Sequence, residues 1–443
     1  MTKRLHFFDA EFDEDSLERI FSGSDSPGVG QLRQAYVGFV VARPLPTAIV
    51  GRTVLRTYEP VGVGGAERSY PTRRKYSPYL FGIRLDLDSL AYQQQDKAVA
   101  ACATVALWSA FHKTQRLFDS ARPTPAAITR SANLVRGSAR SMPSRALTSE
   151  QIAEAIRVVG LEPELIEINA DTPLSSLIYS YVRFGVPIVL LVYLFERGGH
   201  AMTVAGYALS DKPLAVAEKL GSIPYLGRRI ERFFVHDDNV GPFAHLKIVR
   251  PPSDPLQEGD SDAAYYLRKA PYALEIDRKD ELGKREKLLC VPHLAIVPVY
   301  AKIRLPFVAL HGWLDSYASV LEEYGSKLGL DPKELTWDVR LDSSNAFKAE
   351  LRADDAAHCF GYILTKPYPR YIWRASISMG HRRIVELIAD TTEMADAFPF
   401  LDALYYDEDA GREIRRFFSL PEVGEDWSRI IGARFVEFLR SRT

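Results

Sequence analysis

Residues 97–113 read Lys97-Ala98-Val99-Ala100-Ala101-Cys102-Ala103-Thr104-Val105-Ala106-Leu107-Trp108-Ser109-Ala110-Phe111-His112-Lys113. The run holds neither proline nor glycine and is apolar almost all round, which predicts a buried helix rather than a surface one. A buried helix needs a sheet to cover it, and the residues that follow supply strands. Val186–Tyr193 is fully apolar, and Ala201–Tyr207 and Arg232–His236 are two further strand-like runs. Their connections are short or rich in turn residues, which suits antiparallel pairing. Between helix and strands lie two more helices. One begins at Ser149, a capping residue, and ends at Gly160. The other opens at Thr172-Pro173 and closes at Gly185.

Outward from this section, about 91–250, the chain divides into four parts. Residues 1–90 are strand-rich, with Tyr36–Ala42 and Ala48–Tyr58 as the clearest runs. Residues 251–287 combine a turn-rich polar segment with a highly charged one and read as a linker or insertion. Residues 288–443 resume as an α/β accessory domain, with a strand at His293–Tyr300, helices at Trp313–Tyr324 and Asp409–Phe418, and a hairpin around Met379-Gly380. The expected class is α+β: a helix packed on an antiparallel sheet, flanked by a β-rich N-terminal domain and an α/β C-terminal one.

Composition removes several function classes. Lys plus Arg is 56 against 57 for Asp plus Glu, so no net field draws in nucleic acid or an anionic membrane. Asp9, Glu11 and Asp13 interrupt the N-terminus before any apolar stretch forms, which argues against a secretory signal. The longest apolar run, Val186–Phe195, is about half of a bilayer crossing. Cys102, Cys290 and Cys359 are a sparse, odd set of thiols that fits a reducing, cytoplasmic setting. Neither GxxxxGK[ST], GxSxG nor HExxH occurs. Cys290-x-x-His293 and His358-Cys359 are half-motifs, and His200, His236 and His245 lack a metal-ligand spacing, so neither a metal nor a cofactor is expected.

Three segments can carry thiol chemistry together: Gln93–Thr104 around Cys102, Gly198–Val204 around His200, and Val235–Pro242 around Asp237, Asp238 and Asn239. A thiol attacks a carbonyl only as thiolate, so it needs an imidazole and, ideally, a helix N-terminus beside it. The imidazole needs a third group to hold its other nitrogen. One of Asp237 and Asp238 suits that role, with Asp237 first choice because it ends the strand, and Asn239 third. The oxyanion needs preformed donors, for which Gln95 or Gln94 is placed shortly before Cys102. For each of these residues an ordinary structural role, as a small core thiol or a turn residue, is the alternative.

This order of Gln, Cys at a helix start, His at a strand start and a later Asp resembles papain-like cysteine peptidases, most closely the compact bacterial branch called C39-like. The resemblance extends to Gly160-Leu161, Gly185-Val186-Pro187 and the run from His200 to Gly206-Tyr207. It covers about residues 91–250 and departs from the family where Ala103 follows the nucleophile, where Asp96 stands six residues before it, and where Asp237-Asp238 replaces Asp-Pro. It implies a cysteine peptidase or amidase with a Cys102–His200–Asp triad and a peptide or protein substrate. Transglutaminase-like acyl transfer uses the same triad order, and a silent scaffold that binds a partner is a third reading. Substrate, oligomeric state and the roles of the flanking domains are open at this level.

Overall fold

The strand run that begins at Gly185 curls into a closed barrel. The computed structural model describes all of the chain except residues 46–47, 62–65, 96–101, 133–146, 196, 212–222, 252–260, 270–271, 280–282, 354–359, 394–396, 421–426 and 442–443. Its residues group into two units. Unit 1 is Met1–Asn169, Gly185–Leu209 and Glu231–Val299; unit 2 is Ala170–Phe184, Ser210–Ile230 and Tyr300–Thr443. The boundaries expected at 90, 250 and 287 do not coincide with this division.

Unit 1 opens with an antiparallel three-stranded sheet of β1 (Lys3–Phe8), β2 (Tyr36–Ala42) and β3 (Val50–Leu55). Two helices, α1 (Glu14–Ser22) and α2 (Ser26–Gln34), interrupt the expected β-rich segment. Each starts at an aspartate whose carboxylate accepts a backbone N–H of the first turn, Asp13 from Ser16 at 2.7 Å and Asp25 from Gly28 at 2.8 Å. Short strands β4 (Glu67–Ser69), β5 (Arg74–Tyr76), β6 (Tyr79–Leu80), β7 (Ile83–Arg84) and β8 (Leu87–Ser89) lead to the buried helix.

That helix, α3, spans Cys102–Phe118, and every residue from Ala103 to His112 is buried, as its all-round apolar sequence predicts. Residues 97–101 of the expected helix lie outside the described residues. After α4 (Pro125–Ala132) comes α5 (Ser149–Val158), capped by Thr148 and not by Ser149. Thr148 accepts from the Gln151 N–H while the Gln151 side chain accepts from the Thr148 N–H. The capping box wins because it satisfies two helix-end donors at once.

The barrel follows β9 (Leu161–Glu167). Its strands are β10 (Ile188–Leu194), β11 (Gly198–Leu209), β12 (Ile230–Asp237), β13 (Gly241–Val249), β14 (Ala273–Lys279) and β15 (Arg285–Tyr300), each beside the next, with β15 pairing back onto β10. The β10–β11, β12–β13, β13–β14, β14–β15 and β15–β10 pairs are antiparallel. Closing such a six-membered ring forces β12 to run antiparallel to β11 as well. The expectation of an antiparallel sheet beneath the Cys102 helix therefore agrees with the strand directions, and α3 lies on β11, where the Thr203 hydroxyl donates to the Ala106 carbonyl at 2.7 Å. The expected linker 251–287 is different: it contains α7 (Ser261–Lys269) and β14, and its charged stretch is the β14–β15 hairpin, with Asp277 opposite Lys287. Charges there face solvent on one side of a strand, and they masked an alternating pattern whose other side, Leu274 and Ile276, is buried.

Gly206 shows how tightly the short edge strand is laid on the barrel. A Cβ at this position would stand 2.4 Å from the Ser69 carbonyl oxygen and 2.9 Å from the Tyr70 ring. Gly206→Ala is expected to lower stability by about 1–3 kcal/mol by pushing β4 off β11. Thermal unfolding of the variant measures this, and an unchanged melting temperature contradicts it.

Unit 2 contains α6 (Leu174–Val182), α8 (Phe307–Tyr324) and the sheet β16 (Leu335–Ser343), β17 (Tyr371–Met379), β18 (Arg382–Asp390), β19 (Phe400–Tyr405), flanked by α9 (Ser344–Ala353), α10 (Gly361–Thr365), α11 (Glu408–Ser419) and α12 (Ala433–Ser441). The N-cap position of α6 is Pro173. All three strand pairs of the sheet are antiparallel, so this part is α+β and not the expected α/β. The tight turn at Met379-Gly380 explains it, since two residues can join antiparallel strands but never parallel ones. Trp337, Trp373, Tyr317, Phe307 and Phe347 fill its core. Among the described residues no helix is long and apolar enough to cross a membrane.

Candidate functional site

Backbone geometry brings three of the singled-out side chains of unit 1 together. Leu194 pairs with Gly198 at the tight β10–β11 turn, where Gly198 takes a φ of +89°, a conformation that favours glycine. Two residues later β11 delivers His200. Across the barrel wall, β12 ends at Asp237, whose Oδ1 accepts the N–H groups of Asn239 at 2.9 Å and Val240 at 3.1 Å. This side-chain turn holds the carboxylate and leaves Oδ2 free to meet His200 Nε2 at 2.8 Å.

His200 and Asp237 are both buried, at 7% and 2% exposure. Burial alone would push the His200 pKa down, but the charge and hydrogen bond of Asp237, a hydrogen bond with the Cys102 thiol and the charge of Asp238 hold it well above the ordinary value. Since Nε2 faces Asp237, Nδ1 is the nitrogen left for Cys102. Cys102 is the first described residue of α3, half-buried and not in a disulfide. Burial would raise the Asp237 pKa, yet the charge and hydrogen bond of His200 and the two turn N–H groups keep it below the usual carboxylate value.

Asp238, the other candidate for the orienting role, stands beside the same imidazole. Its side chain is buried, Oδ1 lies 3.6 Å from His200 Nε2, and neither carboxylate oxygen has a well-formed hydrogen-bond partner. Burial, with the neighbouring Asp237 charge, pushes its pKa up to about 6 against the opposing pull of His200. Its backbone carbonyl accepts the Tyr92 hydroxyl at 3.4 Å. Tyr92 pairs with Thr53 of β3 through backbone bonds of 2.7 and 2.9 Å.

The other singled-out residues fall elsewhere. Asn239 is exposed and contributes only its backbone N–H, because a residue in the turn points outward once Asp237 has ended the strand. Gln94 is laid along β3: its N–H donates to the Val50 carbonyl, and its side-chain oxygen accepts the Val50 N–H at 3.3 Å. Gln95 is half-buried and directly precedes residues 96–101. His236 alternates with Asp237 along β12 and packs edge-on against Tyr92 and Phe243. His245 meets Tyr58 and Phe234. Cys290 is buried, its thiol pushed far up by burial, and His293 stacks on Tyr266. His358 and Cys359 lie outside the described residues. Among the described residues His200, Asp237 and Asp238 each bring one nitrogen or carboxylate oxygen within 4.8 Å of the others.

Two other histidines of this unit make a pH prediction. Burial pushes His112 down to about 2 and His236 down to about 3. Unfolded, both titrate near 6.5, so below that pH the unfolded chain binds the extra protons and stability falls, by roughly 1.4 kcal/mol per pH unit for each histidine. Asp238 acts in the opposite sense below about 6, since its raised pKa makes the folded chain the stronger proton binder there. Two against one leaves a net loss. The urea midpoint of unfolding is therefore expected to fall between pH 6.5 and 5, and a flat or rising midpoint contradicts the neutral, buried state of these rings.

No protein-family model matches the chain, and no curated protein or solved structure matches it either.

Proposed function

We propose that the chain is a cysteine-dependent hydrolase of peptide or amide bonds, with Cys102 as nucleophile, His200 as base and Asp237 as orienting group. The observation that carries this reading is the buried His200 Nε2–Asp237 Oδ2 bond at 2.8 Å, with the Cys102 thiol among the groups that raise the His200 pKa. In this mechanism Nδ1 takes the thiol proton, and Asp237 stabilises the resulting imidazolium. The thiolate adds to the substrate carbonyl, and the imidazolium returns the proton to the leaving amine as the carbon–nitrogen bond breaks. Water, deprotonated by the same imidazole, then cleaves the thioester and restores the thiol. Gln95 and the Cys102 backbone N–H are the proposed oxyanion donors, because Gln94 is laid along β3 by its backbone and side-chain bonds to Val50. A cleft of about 880 Å³ in the same unit runs from the Asn239–Val240 turn along the β14–β15 hairpin and is the proposed seat for part of a polypeptide substrate.

The test is a thiol-directed activity probe at neutral pH followed by a peptide-library assay. Cys102 is expected to label ahead of buried Cys290, and peptides to be cleaved; product analysis with added amines separates hydrolysis from acyl transfer. Equal, slow labelling of both thiols would overturn the reading.

A further inference from the structure

We infer that His200, Asp237 and Asp238 form a zinc site whose occupancy switches the thiol off. The inference rests on the proposed function for its consequence, but the site stands on geometry alone.

Two independent observations point to a cation. The first is spacing. Ligand atoms bound at about 2.0–2.2 Å around a tetrahedral ion lie roughly 3.3–3.6 Å apart. His200 Nε2 is 2.8 Å from Asp237 Oδ2 and 3.6 Å from Asp238 Oδ1, and all three ligand atoms fall within 4.8 Å. The Nε2–Oδ1 separation already fits, and the Nε2–Oδ2 pair would open by about half an ångström as the ion replaces its hydrogen bond. The second is the Asp238 side chain, 2% exposed, with both oxygens lacking a well-formed hydrogen-bond partner. A buried carboxylate without such a partner is costly, and a cation between it and Asp237 would relieve both the burial and the repulsion of the two acids. One imidazole with two carboxylates is a donor set for zinc, whereas magnesium and calcium take oxygen ligands throughout. Three protein ligands leave a fourth position for water.

Occupancy and catalysis exclude one another. The ion takes the Nε2 lone pair, and the proton that Nε2 donated to Asp237 is released to solvent. Solvent returns one proton to Nδ1, so the ring stays neutral in the other tautomer, points a donor at Cys102 and has no lone pair to accept the thiol proton.

The test uses Cys102→Ala, which removes the thiol as a competing ligand and leaves the cluster whole. Calorimetric titration with Zn²⁺ is expected to give one ion per chain and a raised melting temperature. Co²⁺ in its place is expected to show the visible bands of a four-coordinate ion without a thiolate charge-transfer band. Adding Asp238→Asn is expected to weaken Zn²⁺ at least tenfold. No binding by Cys102→Ala, or binding unchanged by Asp238→Asn, would overturn the inference. Binding by Cys102→Ala in a protein whose wild type shows no thiol reactivity would overturn the hydrolase reading and leave the site standing. Thiol reactivity with no zinc binding would do the reverse.

Discussion

Cys102→Ala is expected to lose amide hydrolysis by 10³-fold or more while unfolding within about 2 °C of the wild type. The loss is large because thiol and imidazole act as a unit, so removing either removes nearly the whole covalent route. The small thermal effect follows from the position: Cys102 is half-buried, and deleting one sulfur leaves little cavity. His200 changes too. It loses one of the groups that hold its pKa up, so the midpoint of its titration, followed by NMR, is expected to move down. A purely structural cysteine would move neither the rate nor that midpoint. Wild-type activity is expected to require a reductant, because an accessible thiolate is oxidised first. If Cys102→Ala keeps full activity, the nucleophile assignment fails. Cys290 would be a poor replacement, since it is fully buried and its thiol is pushed far up.

The second large effect lies in unit 2. Arg374 on β17 is completely buried. It donates from Nε to Glu386 at 2.8 Å, from Nη1 to Asp342 at 2.8 Å and to Glu350 at 2.7 Å, and it lies over the Phe347 ring at 4.7 Å. Glu386 on β18 is equally buried, and Glu350 is held down to about 2 against the cost of its own burial, chiefly by its bond to Arg374. Removing the guanidinium leaves buried Glu386 with the Tyr406 hydroxyl at 3.2 Å and the more distant Arg383 at 3.9 Å, and lets three carboxylates repel. Breaking a buried pair from one side costs about 3–5 kcal/mol. Arg374→Ala is therefore expected to lower the melting temperature by roughly 10 °C. Removing both charges with Arg374→Met and Glu386→Leu is expected to recover most of the loss, because the lone charge does the damage. Calorimetry of the three proteins checks this. If the single variant melts like the wild type, the network carries no net stability.

Much of this molecule can be read from local pattern. The buried helix from Cys102, the apolar strand at Ile188–Leu194, the hairpin at Met379-Gly380 and the turn after Asp237 all follow from periodicity and turn chemistry, which act over a few residues. The same local signals single out Cys102, His200 and Asp237: the first near the start of the apolar run, the second at a strand start, the third at a strand end. What stayed hidden depends on distant segments meeting. Strand β14 looked like part of a charged linker because its polar side faces outward, and only pairing with β13 and β15 shows that its other side completes the barrel. Thr148 took the capping role from Ser149 because Gln151 returns its hydrogen bond. Asp238 read as either the orienting acid or the turn cap. It stands as a buried acid beside the imidazole only because barrel closure places β11 and β12 side by side and buries the end of both. Sequence alone determined which elements form and which residues end them, since those choices depend on neighbours along the chain. Tertiary structure alone decided which ends meet and which charges lose water, since burial and pairing depend on residues far apart in the chain and close in space.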